Sequence, residues 1–402
     1  MTKSRTVVIG VDTHADTHHA AVLDTATGEL LADAQFPATA DGYAALAAFA
    51  RLHGMPKRFG VEGTNSYGAG LARHLRELGE AVVEVIRPNR AARRLRGKSD
   101  PLDALAAARE ALARADLPTP KSSDGPVESI RVLHLVRDSA VKARANAQRQ
   151  VKALLVTAPA ALRERLSGLG DEALLEALRR ARPGDVAQGT EAAALTALRH
   201  LARRHRDLNE EIEEVTTQLR GLVQAAAPAL LGAKGVGVVT AGQLLITAGD
   251  NPERITGEAA FAALCGTSPL PASSGKTTRH RLNRGGDRQA NCALHQIALV
   301  RMSCDERTRD YVAKKSAQGK STREVMRCLK RAIAREVYKL LTNPPAIPAF
   351  EDLRPARHQR GLSLQTVADH FDVWPARISE IERGKRLHDP LAPAYRQWLN
   401  AA

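Results

Sequence analysis

The sequence predicts an α/β domain at the N-terminus, a mostly helical middle and a small helical domain at the C-terminus. Short apolar runs alternate with helical patterns as far as Pro118, where the strand-like runs end. The segment NPPAIP, residues 343–348, cannot be helical and is typical of a linker. The expected domains are residues 1–120, 121–226 (a coiled-coil region), 227–342 and 350–402.

Three short strands joined by tight turns open the chain and predict an antiparallel meander. They are Thr6–Asp12, His18–Asp24 and Leu30–Pro37. Helices and strands then alternate, as is typical of α/β layer folds with a mixed sheet. These elements are a helix at Asp41–His53, a strand at Arg58–Glu62, a helix at Ser66–Leu78, a strand at Ala81–Arg87 and a helix that begins near Asp100.

A heptad pattern marks the helical middle, because one set of positions recurs at alternating spacings of three and four. The positions are Leu198, Leu201, His205, Leu208, Ile212, Val215, Leu219 and Leu222. Three arrangements are open for this seam: an antiparallel hairpin with the helical run Ser129–Leu155, pairing with a second subunit, or packing within one domain. A further helical region covers about Leu230–Leu341.

The charge of the chain indicates a polyanionic partner. The 402 residues carry a net charge of +15, and 17 lysines and arginines stand against 6 acidic residues between Lys276 and Leu340. Such clustering favours nucleic acid over a merely solvated basic surface. Aromatic residues make up only 3% of the chain, which argues against single-strand recognition by stacking.

Composition also predicts where the protein works. There is no run of 18 apolar residues, and the opening MTKSRTVV lacks the apolar core of a signal peptide. The four cysteines show no C-x-x-C spacing, so we expect reduced thiols. We therefore expect a cytoplasmic protein with no membrane partner.

Four carboxylates stand at strand ends and at a helix start in the N-terminal domain. Asp12 follows the apolar residues of the first strand, and Glu62 ends the run RFGVE. Asp100 and Asp103 lie three apart in KSDPLDALAAARE and share one helix face. A buried charge costs several kcal/mol unless it is paired or binds a cation. Together the four groups suit a pair of divalent cations in phosphoryl transfer.

Simpler explanations exist for the same region. Asp100 suits a helix cap with Pro101 in the first turn, and Asp103 suits a solvated charge. The nearby His14, His18 and His19 invite a zinc interpretation. We do not favour zinc, because the chain offers no partner ligands at a matching spacing.

Two sets of motifs carry a family resemblance. The first-strand Asp, the Glu that ends a later strand and the K-S-D-x-x-D-A helix resemble the RuvC-like (RNase H-like) domain of the DEDD transposases of bacterial insertion sequences, which include the Piv DNA invertases. LLGAKGVGVVTAGQLLITAGD, at Leu230–Asp250, is similar to the helix-hairpin-helix-like start of the family's transposase domain. FAALCGTSPLPASSGKTTRHRLNRGGDRQANCALHQIAL, at Phe261–Leu299, resembles the signature of that domain. The resemblance covers about Thr6–Leu341.

The resemblance implies a DNA transposase or site-specific recombinase of an insertion sequence. Such proteins cut and rejoin double-stranded DNA through a 5′-phosphoserine link, using a magnesium-dependent acidic site, which here corresponds to the four carboxylates. Ser274 aligns with the nucleophile, and the motif does not exclude its neighbour Ser273. The family also implies that acidic site and serine come from different subunits of a dimer or tetramer. It further implies a non-coding bridge RNA that pairs with donor and target DNA.

Two loops in the second half suit phosphate contact on their residues alone. In GVG, the backbone at Gly235 and Gly237 can approach a phosphate, although a tight structural turn explains the same residues. In SSGKTTRHR a serine hydroxyl stands amid Lys276, Arg279 and Arg281, which can stabilise the charge that develops when it attacks a phosphodiester. Plain phosphate binding is the alternative for that loop.

The C-terminal segment Leu353–Leu399 resembles the Cro/repressor-type helix-turn-helix, which is not expected in the core family. Its recognition helix would be Trp374–Glu382, with Arg377, Ser379 and Glu380 facing outward to DNA. The alternative is a module that only packs or dimerises.

Two other functions compete with the transposase. IGVDTHADTHHAAVLD also resembles the opening phosphate loop of actin-like ATPases and sugar kinases, whose fold is related to the RuvC-like one. That fold needs a second glycine-rich loop late in the chain, and His14 stands where its first loop has Gly. A non-catalytic helix-turn-helix regulator leaves the four carboxylates unexplained. The sequence therefore predicts a DNA transposase.

Overall fold

The computed structural model describes residues 5–85, 99–273, 280–345, 350, 352–384, 389 and 391–401. The chain divides into two compact units. The first comprises Met1–Glu128 and Ala248–Thr256, and the second comprises Ser129–Thr247 and Gly257–Ala402.

The first unit contains a five-stranded mixed sheet with helices on both faces. Its elements are β1 (Thr6–Thr13), β2 (Thr17–Asp24), β3 (Leu30–Pro37), α1 (Ala40–His53), β4 (Met55–Glu62), α2 (Ala69–Glu77), β5 (Val82–Val85) and α3 (Asp100–Ala113). The strand order is β3-β2-β1-β4-β5. β1 and β3 pair antiparallel with β2, whereas β4 is parallel to β1 and to β5. The predicted mixed α/β sheet is therefore confirmed.

The predicted and the observed boundaries of the elements differ most around β4. The strand begins at Met55, three residues before the predicted Arg58, because Pro56 pairs with Val7 of β1 without ending the strand. Residues 63–68 then form a turn in which Gly63 adopts φ 64°, so α2 starts at Ala69 and not at Ser66. The last two residues of the predicted strand Ala81–Arg87 lie outside the described residues.

Side chains of the sheet alternate between two cores. On one face, Val7, Ile9 and Val11 of β1 pack with α1 and α2. On the other face, Val8 packs with Ala107 of α3. This alternation decides which way a residue at the end of β1 points.

Residues 250 and 251, which come much later in the chain, form hydrogen bonds with residues 120–127 of the first unit. The Asp250 carboxylate accepts hydrogen bonds from the backbone N–H groups of Val127 (2.7 Å) and Gly125 (3.3 Å). Asn251 accepts one from the N–H of Ser122 at 3.1 Å and donates one to the Pro120 carbonyl at 3.0 Å. The unit is therefore built from two separate stretches of sequence.

The rest of the chain is mostly helical as far as it is described. Its elements are α4 (Pro126–Thr157), α5 (Ala160–Leu166), α6 (Asp171–Arg180), α7 (Thr190–Ala226), α8 (Pro228–Gly232), α9 (Val238–Ala248), α10 (Glu258–Leu264), β6 (Leu270–Pro271), β7 (His280–Arg281), α11 (Arg288–Cys304), α12 (Glu306–Ala317), α13 (Thr322–Thr342), α14 (Leu353–Gln359), α15 (Leu364–His370), α16 (Pro375–Glu382) and α17 (Leu391–Ala401). β6 pairs antiparallel with β7, which corrects the expectation that no strand follows Pro118.

α4 and α7 run antiparallel along each other. Arg137 Nε donates to Thr216 Oγ1 at 2.8 Å, and Arg144 Nη1 donates to Asn209 Oδ1 at 2.5 Å. Residue numbers thus rise along one helix as they fall along the other. All positions of the predicted seam are buried or half-buried within the single chain. Of the three arrangements open from the sequence, the structure has the intrachain hairpin.

The last four helices, α14 to α17, share a small core. Val367, Ile378 and Tyr395 are fully buried in it. An ion pair lies beside them, with Arg357 Nε 2.6 Å from Glu382 Oε1, and Tyr395 donates a hydrogen bond to the same carboxylate at 2.7 Å. The buried acid is thus satisfied by two partners.

None of the four cysteines forms a disulfide. No described helix combines the length and the apolar character needed to cross a membrane.

Candidate active site

Asp12 lies near the end of β1, on the face of the sheet that α3 covers. Val11 and Thr13 point to the other face, so Asp12 must point towards α3. Two glycines let α3 approach closely: a Cβ on Gly10 would lie 2.0 Å from the Ala108 backbone nitrogen, and a Cβ on Gly60 would lie 2.6 Å from the nearest α3 atom. The small residues of strand and helix therefore bring the start of α3 to Asp12.

The first turn of α3 carries two further carboxylates. The N-cap residue is Ser99, not Asp100, and Pro101 occupies the first turn as expected. Asp103 is 4% exposed and Asp12 5% exposed. Burial raises the pKa of Asp12; repulsion from Asp103 and Asp100 adds to this, and His14 opposes it. The structure thus brings three of the four predicted carboxylates into electrostatic contact.

His14 joins this group, although the sequence did not single it out as a member. Its Nε2 lies 3.2 Å from Asp12 Oδ2 and 3.2 Å from Asp100 Oδ1. One potential ligand atom from each of these three residues lies within 4.8 Å of the other two. The available signal was the two-residue spacing, since residues two apart at the end of a strand share a face.

Glu62 stands at the end of the neighbouring strand. β1 and β4 are parallel and in register from Val8–Arg58 to Val11–Val61, so Glu62 follows at the level of Asp12 and on the same face. Thr13 Oγ1 donates to the Glu62 carbonyl at 2.9 Å and ties the two strand ends together. The register therefore favours Glu62 as a fourth member of the site.

These residues fit a divalent cation. Asp12 is a buried carboxylate whose electrostatic neighbours include two further acids, and a cation would offset their mutual repulsion. Oxygen ligands are those that Mg²⁺ prefers, whereas the imidazole of His14 also suits Mn²⁺ or Zn²⁺. Asp12 and Asp100 would hold the ion, with His14 beside them.

The other two nearby histidines do not join this cluster. His18 is fully buried among the residues under α1 and stacks on Tyr43, with ring centroids 5.5 Å apart. His19 Nε2 lies 2.6 Å from Asp33 Oδ2 of β3. The three histidines therefore point to different places, and His14 is the one that lies with Asp12 and Asp100.

The GVG loop is a tight turn in the structure. Gly235 has φ 76°, a conformation that favours glycine, and its side facing α11 leaves little room for a Cβ. The Gly237 N–H donates to Thr240 Oγ1 at 3.0 Å, and Arg301 Nε donates to the Lys234 carbonyl at 2.7 Å. The structural alternative therefore accounts for the geometry, and phosphate contact through these glycines stays a prediction.

The serine loop is described only at its edges. Ser274, Lys276 and Arg279 lie outside the described residues. The β6–β7 ribbon holds the two ends of the segment that contains them, because Pro271 pairs with His280. Next to it, Arg281 lines a cleft of about 1060 Å³.

The C-terminal module joins two short helices by a tight turn, and one predicted DNA-contacting residue is paired within the module. α15 and α16 are joined by a turn in which Asp372 adopts φ 51°, and α16 begins one residue later than predicted, with Trp374 as its N-cap residue. Arg377, expected to face DNA, pairs instead with Asp389, with Nη2 and Oδ1 2.7 Å apart. Ser379 lines a surface groove with Arg383. DNA contact by Arg377 and Ser379 stays a prediction.

Comparison with known proteins gives two matches to transposase families. Residues 9–158 match the family of DEDD transposases of IS110 type, and residues 227–313 match the transposase family IS116/IS110/IS902. The insertion element IS110 uncharacterized 43.6 kDa protein of Streptomyces coelicolor is 32% identical over 131 residues. That similarity spans about a third of each chain, 32% in both cases. The chain is therefore similar to transposases of the IS110 type over two separate stretches of its first 313 residues.

Proposed function

We propose that this protein is the DNA transposase of an insertion sequence. The observation that carries the proposal is the grouping of Asp12, Asp100 and Asp103 at one edge of the sheet, inside a segment that matches a DEDD transposase family. The strand register supports Glu62 as the fourth acid of this set. We further propose that the N-terminal unit is RuvC-like and that double-stranded DNA is the substrate.

The proposed role of the acidic site is to bind a cation that stabilises charge on the reacting oxygens. A divalent cation, which we propose to be Mg²⁺, would stabilise negative charge on the attacking and leaving oxygens of phosphoryl transfer. Asp12 and Asp100 would bind this cation, and the Thr13 hydroxyl ties the end of β1 to the end of β4.

Ser274 is the proposed nucleophile. Its Oγ forms a bond to the phosphorus of a phosphodiester, the bond from phosphorus to the 3′ oxygen breaks, the serine proton passes to a base and the 3′ oxygen leaves with a proton. The product is a 5′-phosphoserine link, and attack by another 3′ hydroxyl reverses the step and rejoins DNA. Lys276, Arg279 and Arg281 would stabilise the phosphorane charge.

We propose that acidic site and serine come from different subunits of a dimer or tetramer, and that a non-coding bridge RNA selects donor and target. The family resemblance supports both points, and the basic second half suits an RNA partner. Work on DNA implies the cytoplasm as the compartment. The transposase matches favour this function over an actin-like ATPase or a regulator without catalysis.

The test traps the covalent intermediate. Incubate the protein with DNA of the element ends that carries a label at the 3′ end of the cut strand, and look for labelled protein on a denaturing gel. Ser274→Ala should abolish the adduct and keep DNA binding, whereas Ser273→Ala, the matched control, should leave it intact. An adduct lost only in Ser273→Ala would move the nucleophile by one residue, and loss in neither variant would reject serine chemistry.

A mixing experiment tests the shared site. Ser274→Ala and Asp12→Asn should each be inactive alone, and together they should recover part of the strand exchange, because some mixed assemblies contain one intact composite site. No recovery in mixtures that form stable oligomers would place serine and acids in one subunit.

A further inference from the structure

One face of α13 is a row of arginines that border a single cleft. Arg323, Arg327, Arg331 and Arg335 recur every four residues and all line the cleft beside the β6–β7 ribbon. Four residues of helix rise about 6 Å, so the row is about 18 Å long. A DNA strand presents one phosphate per about 3.4 Å of duplex axis, so the row spans about five phosphates of one strand.

The charge of the cleft is strongly one-sided. Its lining includes seven lysines and arginines and one acid, Glu324. The Glu324 carboxylate is already engaged at the start of α13, where it accepts hydrogen bonds from the N–H and hydroxyl of Ser321 at 2.9 and 2.8 Å. Two arginines of the row have acidic neighbours: Arg335 Nε lies 3.1 Å from Glu258 Oε1, and Arg327 Nη2 lies 3.9 Å from Glu324 Oε1. Within the described residues, no carboxylate lies within ion-pair distance of Arg281 or Arg323. A solvated surface rarely concentrates like charges in a concavity, because they repel one another.

The floor of the cleft holds a buried lysine without a described counter-charge. Lys330 is 9% exposed, and its Nζ donates to Asn291 Oδ1 at 2.7 Å. Asn291 is itself fixed by hydrogen bonds to the carbonyls of Cys265 and Gly266, at 2.9 and 3.0 Å. A neutral amide satisfies one donor of the ammonium but leaves its charge unbalanced, which is costly in a buried position. A bound anion would supply the missing charge.

We infer that this cleft binds the phosphate backbone of the DNA strand that is cut, with the α13 arginines along its wall and Lys330 at its floor. The inference rests on the proposed function, because the ribbon that borders the cleft holds both ends of the serine segment. It assigns to α13 the backbone contacts that place a strand without reading its sequence.

The test is the salt dependence of DNA binding by the full chain. Fluorescence anisotropy with a labelled 30-base-pair duplex gives the slope of log K against log salt, whose magnitude drops by about 0.9 for each phosphate that the protein no longer neutralises. The double variant Arg323→Gln/Arg327→Gln should lower the slope by about 1.8. The matched control is Arg163→Gln/Arg182→Gln, which removes two exposed arginines that do not line the cleft and should leave the slope unchanged.

Lys330→Met separates a ligand role from a structural one. If Lys330 stabilises the fold, its loss lowers the unfolding temperature. If Lys330 instead binds a ligand, the unfolding temperature stays the same or rises while DNA affinity falls. Equal slopes in the wild type, double variant and control would overturn the inference and leave the proposed function standing, because the adduct assay is independent of it. A slope reduced only with an RNA duplex of the same sequence would overturn the assignment to DNA.

Discussion

Replacing Gly10 by alanine should pull the candidate active site apart. The added Cβ would lie 2.0 Å from the Ala108 nitrogen, 2.3 Å from the Ala104 carbonyl oxygen and 2.6 Å from the Ala108 Cα. All three are backbone atoms of α3, so no side chain can rotate away. To regain ordinary contact, α3 has to retreat from β1 by about 1.4 Å, and overpacking of this kind costs about 1–3 kcal/mol or more.

The displacement acts on the chemistry because α3 carries Asp100 and Asp103 while β1 carries Asp12. A misplacement of about 1 Å at a catalytic site costs about 100-fold in rate. We expect strand cleavage by Gly10→Ala to fall by about two orders of magnitude. Thermal unfolding should shift down by about 2–4 °C for each kcal/mol of stability that the variant loses.

Gly221→Ala is the matched control. Gly221 lies within α7, and a Cβ there meets nothing within 4 Å. Alanine in a helix interior is about 1 kcal/mol more favourable than glycine, so this variant should melt later and keep full activity. A Gly10→Ala variant that unfolds and cleaves like the wild type would refute the close packing of α3 on β1 as the cause of the site's geometry.

Three more outcomes follow from the structure. Because the pKa of Asp12 is raised on folding, its charge destabilises the fold at neutral pH. In the presence of a chelator, Asp12→Asn should unfold at a higher temperature than the wild type, and it should lose both strand cleavage and stabilisation by added Mg²⁺. The difference in stability between variant and wild type should disappear as the pH falls to the unfolded pKa of 3.8. Normal recombination by this variant would contradict the acidic site. Removing the residues after Pro348 should weaken DNA binding but spare strand exchange; unchanged binding at every salt concentration would show that the helix-turn-helix does not bind DNA. In mass spectrometry after brief alkylation, the exposed Cys292 and Cys304 should be modified first and Cys265 last, because burial raises the pKa of Cys265 to about 12.

The sheet and the hairpin were predictable because their signals are local. The apolar runs of β1 to β3 place those strands within one residue of the observed bounds, and the heptad positions mark the buried side of α7. The β6–β7 ribbon was missed, since two-residue strands are too short to show a periodicity.

The candidate site was predictable in its acids and not in its histidine. Asp12 and Glu62 stand out as charges that end apolar runs, a contrast visible in the sequence alone. The sequence offers His14 only as a possible zinc ligand without partners, and its contact with Asp100 exists because α3 returns to the sheet 86 residues later. Likewise, helical spacing predicts that Arg377 faces outward. It cannot predict the ion pair with Asp389, because Asp389 lies beyond the end of α16.

The assembly of the first unit from two stretches of sequence sets an order of events during synthesis. The sheet and α3 are complete in the nascent chain once residue 113 has left the ribosome, but the loop at Ser122 waits for Asn251, which is made 129 residues later. At about 5–20 residues per second, translation imposes a delay of about 6–26 seconds. During that interval the first unit lacks its hydrogen bonds to Asp250 and Asn251. A chain that terminates before Asp250 therefore never forms these hydrogen bonds, so the first unit is completed only while the serine-bearing part of the chain is being made.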